Sequence, residues 1–181
     1  MSLRPTASIA PDTSAELGQV FVLGPDDGKT FWQPVPANGQ IDIRIAPEFV
    51  DQQTPFSIGT QTLPPGGYVR EHAHPHHDEA LHFISGTGKA VVDGVEYELK
   101  PGVTIFVGRN RRHMFINNSE GELHWLWFIQ PNGLETFFEE VGRPVVPGEP
   151  DPTPFPRPDN VLEIEARTAF APPPKDSRKP D

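Results

Sequence analysis

The stretch that decides the fold is GGYVREHAHPHHDEALHFISG, which runs from Gly66 to Gly86 and holds five of the seven histidines. Side chains alternate between the two faces of a strand, so His72 and His74 point to the same side, about 7 Å apart along the chain. Glu79 follows five residues later, where a new strand starts. A short turn and a returning strand would bring this carboxylate beside the two imidazoles, so the stretch predicts a metal site.

A fourth ligand has to come from another part of the sequence. His113, in NRRHMFIN, opens a later strand and is the candidate. Imidazole nitrogens with one carboxylate suit iron, manganese, nickel, cobalt, copper or zinc, whereas magnesium and calcium prefer more oxygen ligands. The chain has no cysteine, which excludes thiolate ligands, disulfides and a cysteine nucleophile.

The spacing of these residues resembles the first signature motif of the cupin superfamily. That motif is glycine, five residues, His-x-His, three or four residues, glutamate, six residues and glycine. It is matched in full by Gly66, His72, His74, Glu79 and Gly86.

The second cupin motif is matched with two departures. Gly102, His113 and Asn117 stand at its glycine, histidine and asparagine, while Gly108 replaces a proline and Asn110 a second glycine. Asparagine tolerates a positive φ better than other non-glycine residues, so the turn is expected to survive. The resemblance covers roughly residues 56–131.

The resemblance implies a fold and a ligand set. The fold class is all-β, a double-stranded β-helix (jelly-roll) barrel with extra N-terminal strands, one short helix after the barrel and a proline-rich C-terminal tail. The implied metal site is mononuclear and lies inside the barrel, with the ligands His72, His74, Glu79 and His113. Iron is the expected ion, with manganese, nickel, zinc, cobalt and copper as alternatives.

Composition along the chain supports three regions, namely residues 1–55 as an N-terminal arm with extra strands, 56–142 as the barrel with its closing helix, and 143–181 as the tail. Short alternating segments with glycine and Asp-Gly turns are typical of a sandwich or barrel. GLETFFEEVG, residues 133–142, is the predicted helix. In the tail, rich in prolines, NVLEIEA (160–166) predicts an edge strand or a turn of helix, and KDSRKPD (175–181) predicts disorder.

Strand parity selects candidates for the wall of a substrate pocket. Phe83 follows Glu79 on one face of its strand, and Phe115 and Asn117 share the parity of His113. One face of the strand LHWLWF carries Trp125 and Trp127, and the other carries His124, Leu126 and Phe128. The sequence leaves open which of the two faces lines the inside of the barrel. The pocket-wall candidates are Phe83, Phe115, Asn117, Trp125 and Trp127.

The other histidines are interpreted as having no metal role. His76 and His77 lie in the turn between ligands and are expected in solvent, with a register shift to His74 and His76 as the minority alternative. His82 has the opposite parity to Glu79 and is expected to face outward.

A basic cluster allows two interpretations. Its members are Arg109, Arg111 and Arg112. We expect them to pair with surface carboxylates; attraction of a carboxylate substrate to the rim is the alternative.

Net charge limits the classes of partner. A formal charge of -10 and a pI near 5.1 disfavour nucleic acid and anionic membranes. The expected partner is therefore a small-molecule substrate. No apolar run reaches signal-peptide or membrane-span length, so a cytoplasmic protein is expected, and cupins commonly pair through edge strands, so a homodimer is expected.

The resemblance to single-domain quercetin-dioxygenase-like cupins implies a metal-dependent dioxygenase acting on a small aromatic, enol or hydroxy-keto compound. Glu79 is the candidate catalytic residue, because a carboxylate ligand can also move a proton. Two alternatives stay open, namely an oxygen-independent isomerase, lyase or hydrolase, and a non-catalytic small-molecule-binding cupin.

Overall fold

The computed structural model describes residues 17–173 and 175–176. This part of the chain contains two helices, α1 (Leu134–Val141) and α2 (Val161–Arg167), and eleven strands. The strands are β1 (Lys29–Trp32), β2 (Gln40–Ile45), β3 (Ser57–Leu63), β4 (Tyr68–His72), β5 (Asp78–Ser85), β6 (Gly88–Val92), β7 (Val95–Leu99), β8 (Thr104–Val107), β9 (His113–Ile116), β10 (Leu123–Gln130) and β11 (Arg143–Pro144).

The strands form two antiparallel sheets that face each other, which is the predicted double-stranded β-helix. The larger sheet has the order β11-β1-β2-β3-β10-β5-β8, and the smaller one has the order β4-β9-β6-β7. The predicted N-terminal strands β1 and β2 extend the larger sheet. Residues 1–16 of the predicted N-terminal arm lie outside the described residues.

Alternation along β10 shows which side chains fill the barrel. Trp125 and Trp127 are fully buried, while His124 lies on the opposite, partly exposed face. The ring of Trp125 packs 5.7 Å from that of Phe83 and 5.8 Å from that of Phe115, measured between centroids. Period-two packing of large aromatics therefore builds the core that supports the candidate site.

Two turn residues have the backbone conformation that the motifs require. Gly86 has a φ of 81°, and a Cβ there would lie 2.2 Å from the carbonyl oxygen of Glu122. Asn110 has a φ of 61°, so asparagine does take over the glycine position of the second motif. The backbone N–H of Asn110 donates to the carbonyl of His74 and ties this turn to the first motif.

The predicted helix after the barrel is confirmed as α1. Its buried face carries Leu134, Phe137, Phe138 and Val141, which is the apolar stripe expected of a helix packed on one side. The stripe lies against the barrel core.

The proline-rich tail is built into the molecule. β11 pairs with β1, and the backbone N–H of Val35 donates to the carbonyl of Phe155. The turn of helix predicted as one alternative for residues 160–166 is confirmed as α2, so the tail adds a second helix to the one expected after the barrel. Burial of Ile164 stabilises α2 on the core, and the buried carboxylate of Glu165 is paired with two arginines. Most of the segment 175–181, predicted to be disordered, lies outside the described residues.

Within the described residues, no helix is both long and apolar enough to cross a bilayer. The predicted homodimer and the cytoplasmic location stay predictions.

Candidate metal centre

Three histidines from different parts of the sequence converge inside the barrel. His72 ends β4, His74 follows it, and His113 opens β9, which pairs with β4 so that His72 and His113 are opposite one another. One ring nitrogen from each lies within 4.8 Å of the other two. The ring centroid of His113 is 4.1 Å from that of His72 and 5.3 Å from that of His74. Three imidazoles at these separations can share one ion.

Each of these imidazoles is oriented by a backbone carbonyl. Nδ1 of His72 donates to the oxygen of Arg70 at 2.7 Å, and Nδ1 of His113 donates to the oxygen of Arg111 at 2.9 Å. A carbonyl oxygen can only accept, so the proton of each neutral ring is on Nδ1 and the lone pair of Nε2 is free. Such bonds are the usual means of fixing metal-binding histidines.

The third imidazole is fixed by the tail. Nδ1 of His74 donates to the carbonyl oxygen of Ala169 at 2.8 Å. The tail therefore orients one candidate ligand from 95 residues away along the chain.

The carboxylate of Glu79 completes the group. Its Oε2 lies 3.0 Å from Nε2 of His113 and 3.7 Å from Nε2 of His74. Glu79 is only 4% exposed, His74 3% and His113 0%. The site is thus closed to bulk water on this side.

The buried polar atoms of this group lack hydrogen-bond partners. These atoms are Nε2 of His74, Nε2 of His113 and Oε2 of Glu79. Lone pairs that face one another without a proton or an ion between them are costly in a buried site. A divalent transition metal ion would satisfy all three atoms, so these residues fit a metal site with three nitrogens and one oxygen.

Burial controls the protonation of the site. Removal from water lowers the pKa of His74 to about 4, and burial with the neighbouring histidines holds the pKa of His72 well below its usual value. Burial alone would raise the pKa of Glu79, but contact with His113, followed by His74, brings it below the ordinary value. At neutral pH His72 and His74 are therefore neutral and Glu79 is a carboxylate, the forms that bind metal.

The remaining histidines of the first motif differ in their surroundings. His82 faces outward, as predicted, and His76 is exposed, which argues against a register shift that would use it as a ligand. The expectation that His77 lies in solvent is wrong, since it is only 6% exposed and its ring lies 6.0 Å from that of His74. The loop that leads into α1 covers His77, and the His77 ring is hydrogen-bonded to the backbone of Asn132 in that loop.

Two of the three arginines of the basic cluster make the surface pairs expected of them. Arg111 pairs with Asp93 at 2.6 Å, and Arg112 pairs with Asp176 at 3.0 Å.

A cavity extends from His72 and Glu79 toward the surface. Phe115 lies on its wall, but the other pocket-wall candidates, Phe83, Asn117, Trp125 and Trp127, do not. The aromatic three are packed in the core, and the amide of Asn117 donates to the carbonyls of Leu63 and Gly121. An inward direction along a strand does not distinguish the core from the cavity wall, which is why parity selected too many residues.

Most of the cavity wall comes from segments that sequence patterns did not select. Residues 33–37 form one side and the apolar face of α1 another. Phe170 of the tail lies 5.3 Å from the ring of His72 and 4.4 Å from that of Phe137, measured between centroids. Arg70 and Arg157 are the basic residues of the wall. Only Arg70 carried a usable signal, because it lies two residues before His72 in the same strand.

Comparison with known proteins agrees with the resemblance of the two motifs to cupins. The sequence model of the Cupin domain family matches residues 59–129. The chain is 32% identical over 115 residues to the tetracenomycin polyketide synthase protein TcmJ of Streptomyces glaucescens, covering 60% of this chain and 74% of that protein. It is 24% identical over 93 residues to the polyketide synthase CurC of Streptomyces cyaneus, covering 51% and 60%.

Among solved structures, a Cupin 2 conserved barrel domain protein from Salinispora arenicola matches with a TM-score of 0.48 and 16% identity, over 64% of this chain and 90% of that one. The sequence matches and the paired motifs establish that the chain belongs to the cupin superfamily.

Proposed function

We propose that this chain is a mononuclear metal-dependent enzyme that oxygenates a small aromatic, enol or hydroxy-keto compound. The observation that carries the proposal is the group of free Nε2 atoms and the Glu79 carboxylate at the inner end of a cavity lined with phenylalanines. His72, His74, Glu79 and His113 would hold the ion. When bound, such an ion supplies Lewis acidity toward a substrate oxygen and, if it is redox-active, electrons for reaction with dioxygen.

The wall of the cavity supports an aromatic or planar substrate. Phe115, Phe137, Phe138 and Phe170 contribute ring surface to it. Rings of this kind exclude water and pack against a flat molecule. They would hold the substrate with its enol or phenol oxygen toward His72 and Glu79.

Glu79 is suited to accept the proton of that enol or phenol. Among the described residues that line the cavity it is the one carboxylate, and the neighbouring imidazoles hold its pKa below the ordinary value, so it carries no proton of its own at neutral pH. A carboxylate in direct reach of the reacting hydroxyl would convert an enol to the more reactive enolate. Glu79 therefore combines a ligand role with a base role in this proposal.

The names of the curated relatives support the substrate class. Both are named as polyketide synthase proteins, and polyketides are rich in phenol, enol and β-keto groups. This likeness also favours a second candidate, an oxygen-independent isomerase, lyase or hydrolase in which the same residues stabilise an enolate.

The test is metal analysis of anaerobically purified protein, followed by a panel of naphthols, anthrones and 1,3-diketones in an oxygen electrode. We expect iron and oxygen uptake equal to substrate loss. Zinc or manganese with full turnover under strict anaerobic conditions would contradict oxygenation and support the second candidate.

A variant separates both enzymes from a non-catalytic binding protein. His72→Ala should abolish turnover, and His82→Ala, on the exposed face of β5, is the matched control. Unchanged turnover in His72→Ala would exclude metal-dependent catalysis at this site.

A further inference from the structure

Two arginines meet at the wall of the cavity. Arg70 comes from β4 and Arg157 from the tail, and their side chains are 30% and 18% exposed. Nη2 of each contacts the same atom, Oε1 of Glu165, a side chain that is 4% exposed. Two guanidinium groups are thus held together at one carboxylate oxygen.

The charges of this cluster do not balance. Arg70 and Arg157 bring two positive charges and Glu165 one negative charge, and Glu79 is the acidic residue among the described residues of the cavity wall. With Glu79 assigned to the metal site, the wall keeps an excess positive charge in a chain with a net charge of -10. Such a local field concentrates anions.

Within the described part of the chain, Glu165 engages only some of the donors of the two arginines. A guanidinium has five N–H groups in a planar fork that fits a carboxylate. One N–H of each is engaged by Glu165. The remaining donors of two adjacent groups suit a second carboxylate, bound through charge-assisted hydrogen bonds.

We propose that Arg70 and Arg157 bind a carboxylate group of the substrate, so that the cavity takes an aromatic or enol acid. This inference rests on the proposed function for the orientation of the substrate, whose hydroxyl or keto oxygen faces the three histidines. Arg70 precedes His72 by two residues on one strand, a separation of about 7 Å along the chain. One small molecule can therefore reach both groups.

A purely structural role for the cluster is the alternative. Arg157 and Glu165 belong to the tail and Arg70 to the barrel, so the cluster also fastens the tail. A fastening role predicts changes in stability, whereas a binding role predicts a change in preference between a charged and a neutral ligand.

The experiment compares 2-naphthoate with 2-naphthamide, which have similar shape but differ in charge, by isothermal titration calorimetry. The intact chain should bind naphthoate more tightly. Arg157→Gln should weaken naphthoate binding about tenfold and leave naphthamide binding unchanged, because one charge-assisted bond is lost. Arg167→Gln is the control, since Arg167 is an exposed arginine of the same tail paired with Glu140.

A second variant makes the test independent of folding defects. Glu165→Gln removes the carboxylate that competes for both guanidinium groups, so naphthoate should bind more tightly than to the intact chain. Damage to the fold would weaken the binding of both naphthoate and naphthamide in every variant. An unchanged ratio of the two affinities in Arg157→Gln and Glu165→Gln would overturn the proposal.

The metal site needs its own control because an ion also attracts carboxylates. In His113→Ala the preference for naphthoate should persist. If His113→Ala loses the preference for naphthoate and Arg157→Gln keeps it, the carboxylate binds the metal and the arginine site is excluded. The proposed enzymatic function would be unaffected by that result. If it persists without metal and depends on Arg157, the arginine site stands even where no turnover is found.

Discussion

The backbone carbonyl of Ala169 accepts a hydrogen bond from Nδ1 of His74 over 2.8 Å, so a tail residue fixes the ring that the first motif presents to the site. The next residue, Phe170, packs its ring 5.0 Å from that of His74. The N–H of Ala171 donates to the carbonyl of Ala73 and closes the contact. The tail is thereby part of the candidate metal centre.

Removal of the tail contact should weaken metal binding. A chain that ends at Thr168 loses the carbonyl partner of His74, and loss of such a partner typically costs 10- to 100-fold in metal affinity. Competition with a chromogenic chelator measures this. A chain that ends at Pro173 keeps all three contacts and should bind as the intact protein does; equal affinities of the two shortened chains would contradict the role of Ala169.

Loss of Glu79 should remove metal with little damage to the fold. Glu79→Ala should lower the metal content well below one ion per chain, since one of four ligands is gone. The aromatic core is unaffected, so we expect the free energy of unfolding of the metal-free protein to change by no more than about 1 to 3 kcal/mol. His82→Ala, on the opposite face of β5, should retain its metal, and global unfolding of Glu79→Ala would indicate a structural ion.

The metal-free protein should lose stability in mild acid. His74 has a folded pKa of about 4 because of burial, against an unfolded value near 6.5, and that of His72 is also lowered. Above pH 6.5 these imidazoles are neutral in both the folded and the unfolded protein. Between pH 6.5 and about 4 they take up protons only in the unfolded chain. Stability is therefore lost as pH falls from 6.5 toward 4, by roughly 3 kcal/mol from His74.

Urea unfolding of chelator-treated protein at pH 7, 6, 5 and 4 measures this loss. His74→Gln should reduce the change of the free energy of unfolding with pH. His76→Gln, at an exposed position, should not change it. A free energy of unfolding that stays constant between pH 7 and 5 would show that the buried histidines take up protons in the folded state.

Phe83 belongs to the core, and its truncation should affect stability more than ligand binding. Phe83→Ala should cost about 3 to 5 kcal/mol in the free energy of unfolding, because it leaves a void beside Trp125 and Phe115. Ile84→Ala, at a half-exposed position in the same strand, should cost less than about 0.5 kcal/mol. A small loss for Phe83→Ala combined with weaker naphthamide binding would place Phe83 on the cavity wall.

Local spacing of residues accounts for the features that the sequence predicted correctly. Strand periodicity and the two motifs predicted the barrel, α1 and the positive φ of Asn110, and they selected the four side chains that the structure brings together. Whether these side chains bind metal stays a prediction.

The remaining features depend on contacts between distant segments. The burial of His77 follows from the loop before α1. The contact of Ala169 with His74 and the meeting of Arg70 with Arg157 follow from the path of the tail. No short sequence pattern encodes such long-range contacts, so the sequence of the tail predicted only an edge strand or a turn of helix at residues 160–166 and disorder at its end.

Much of the cavity wall comes from outside the segment that carries the candidate metal ligands. The Cupin domain match spans residues 59–129, whereas residues 33–37, α1, Arg157 and Phe170 flank it. On the proposed function, the residues that would select the substrate are therefore largely separate from those that would hold the ion. Grafting the two flanks of one such protein onto the barrel of another, together with Arg70 and Phe115, should then transfer the choice of substrate without moving the candidate metal ligands.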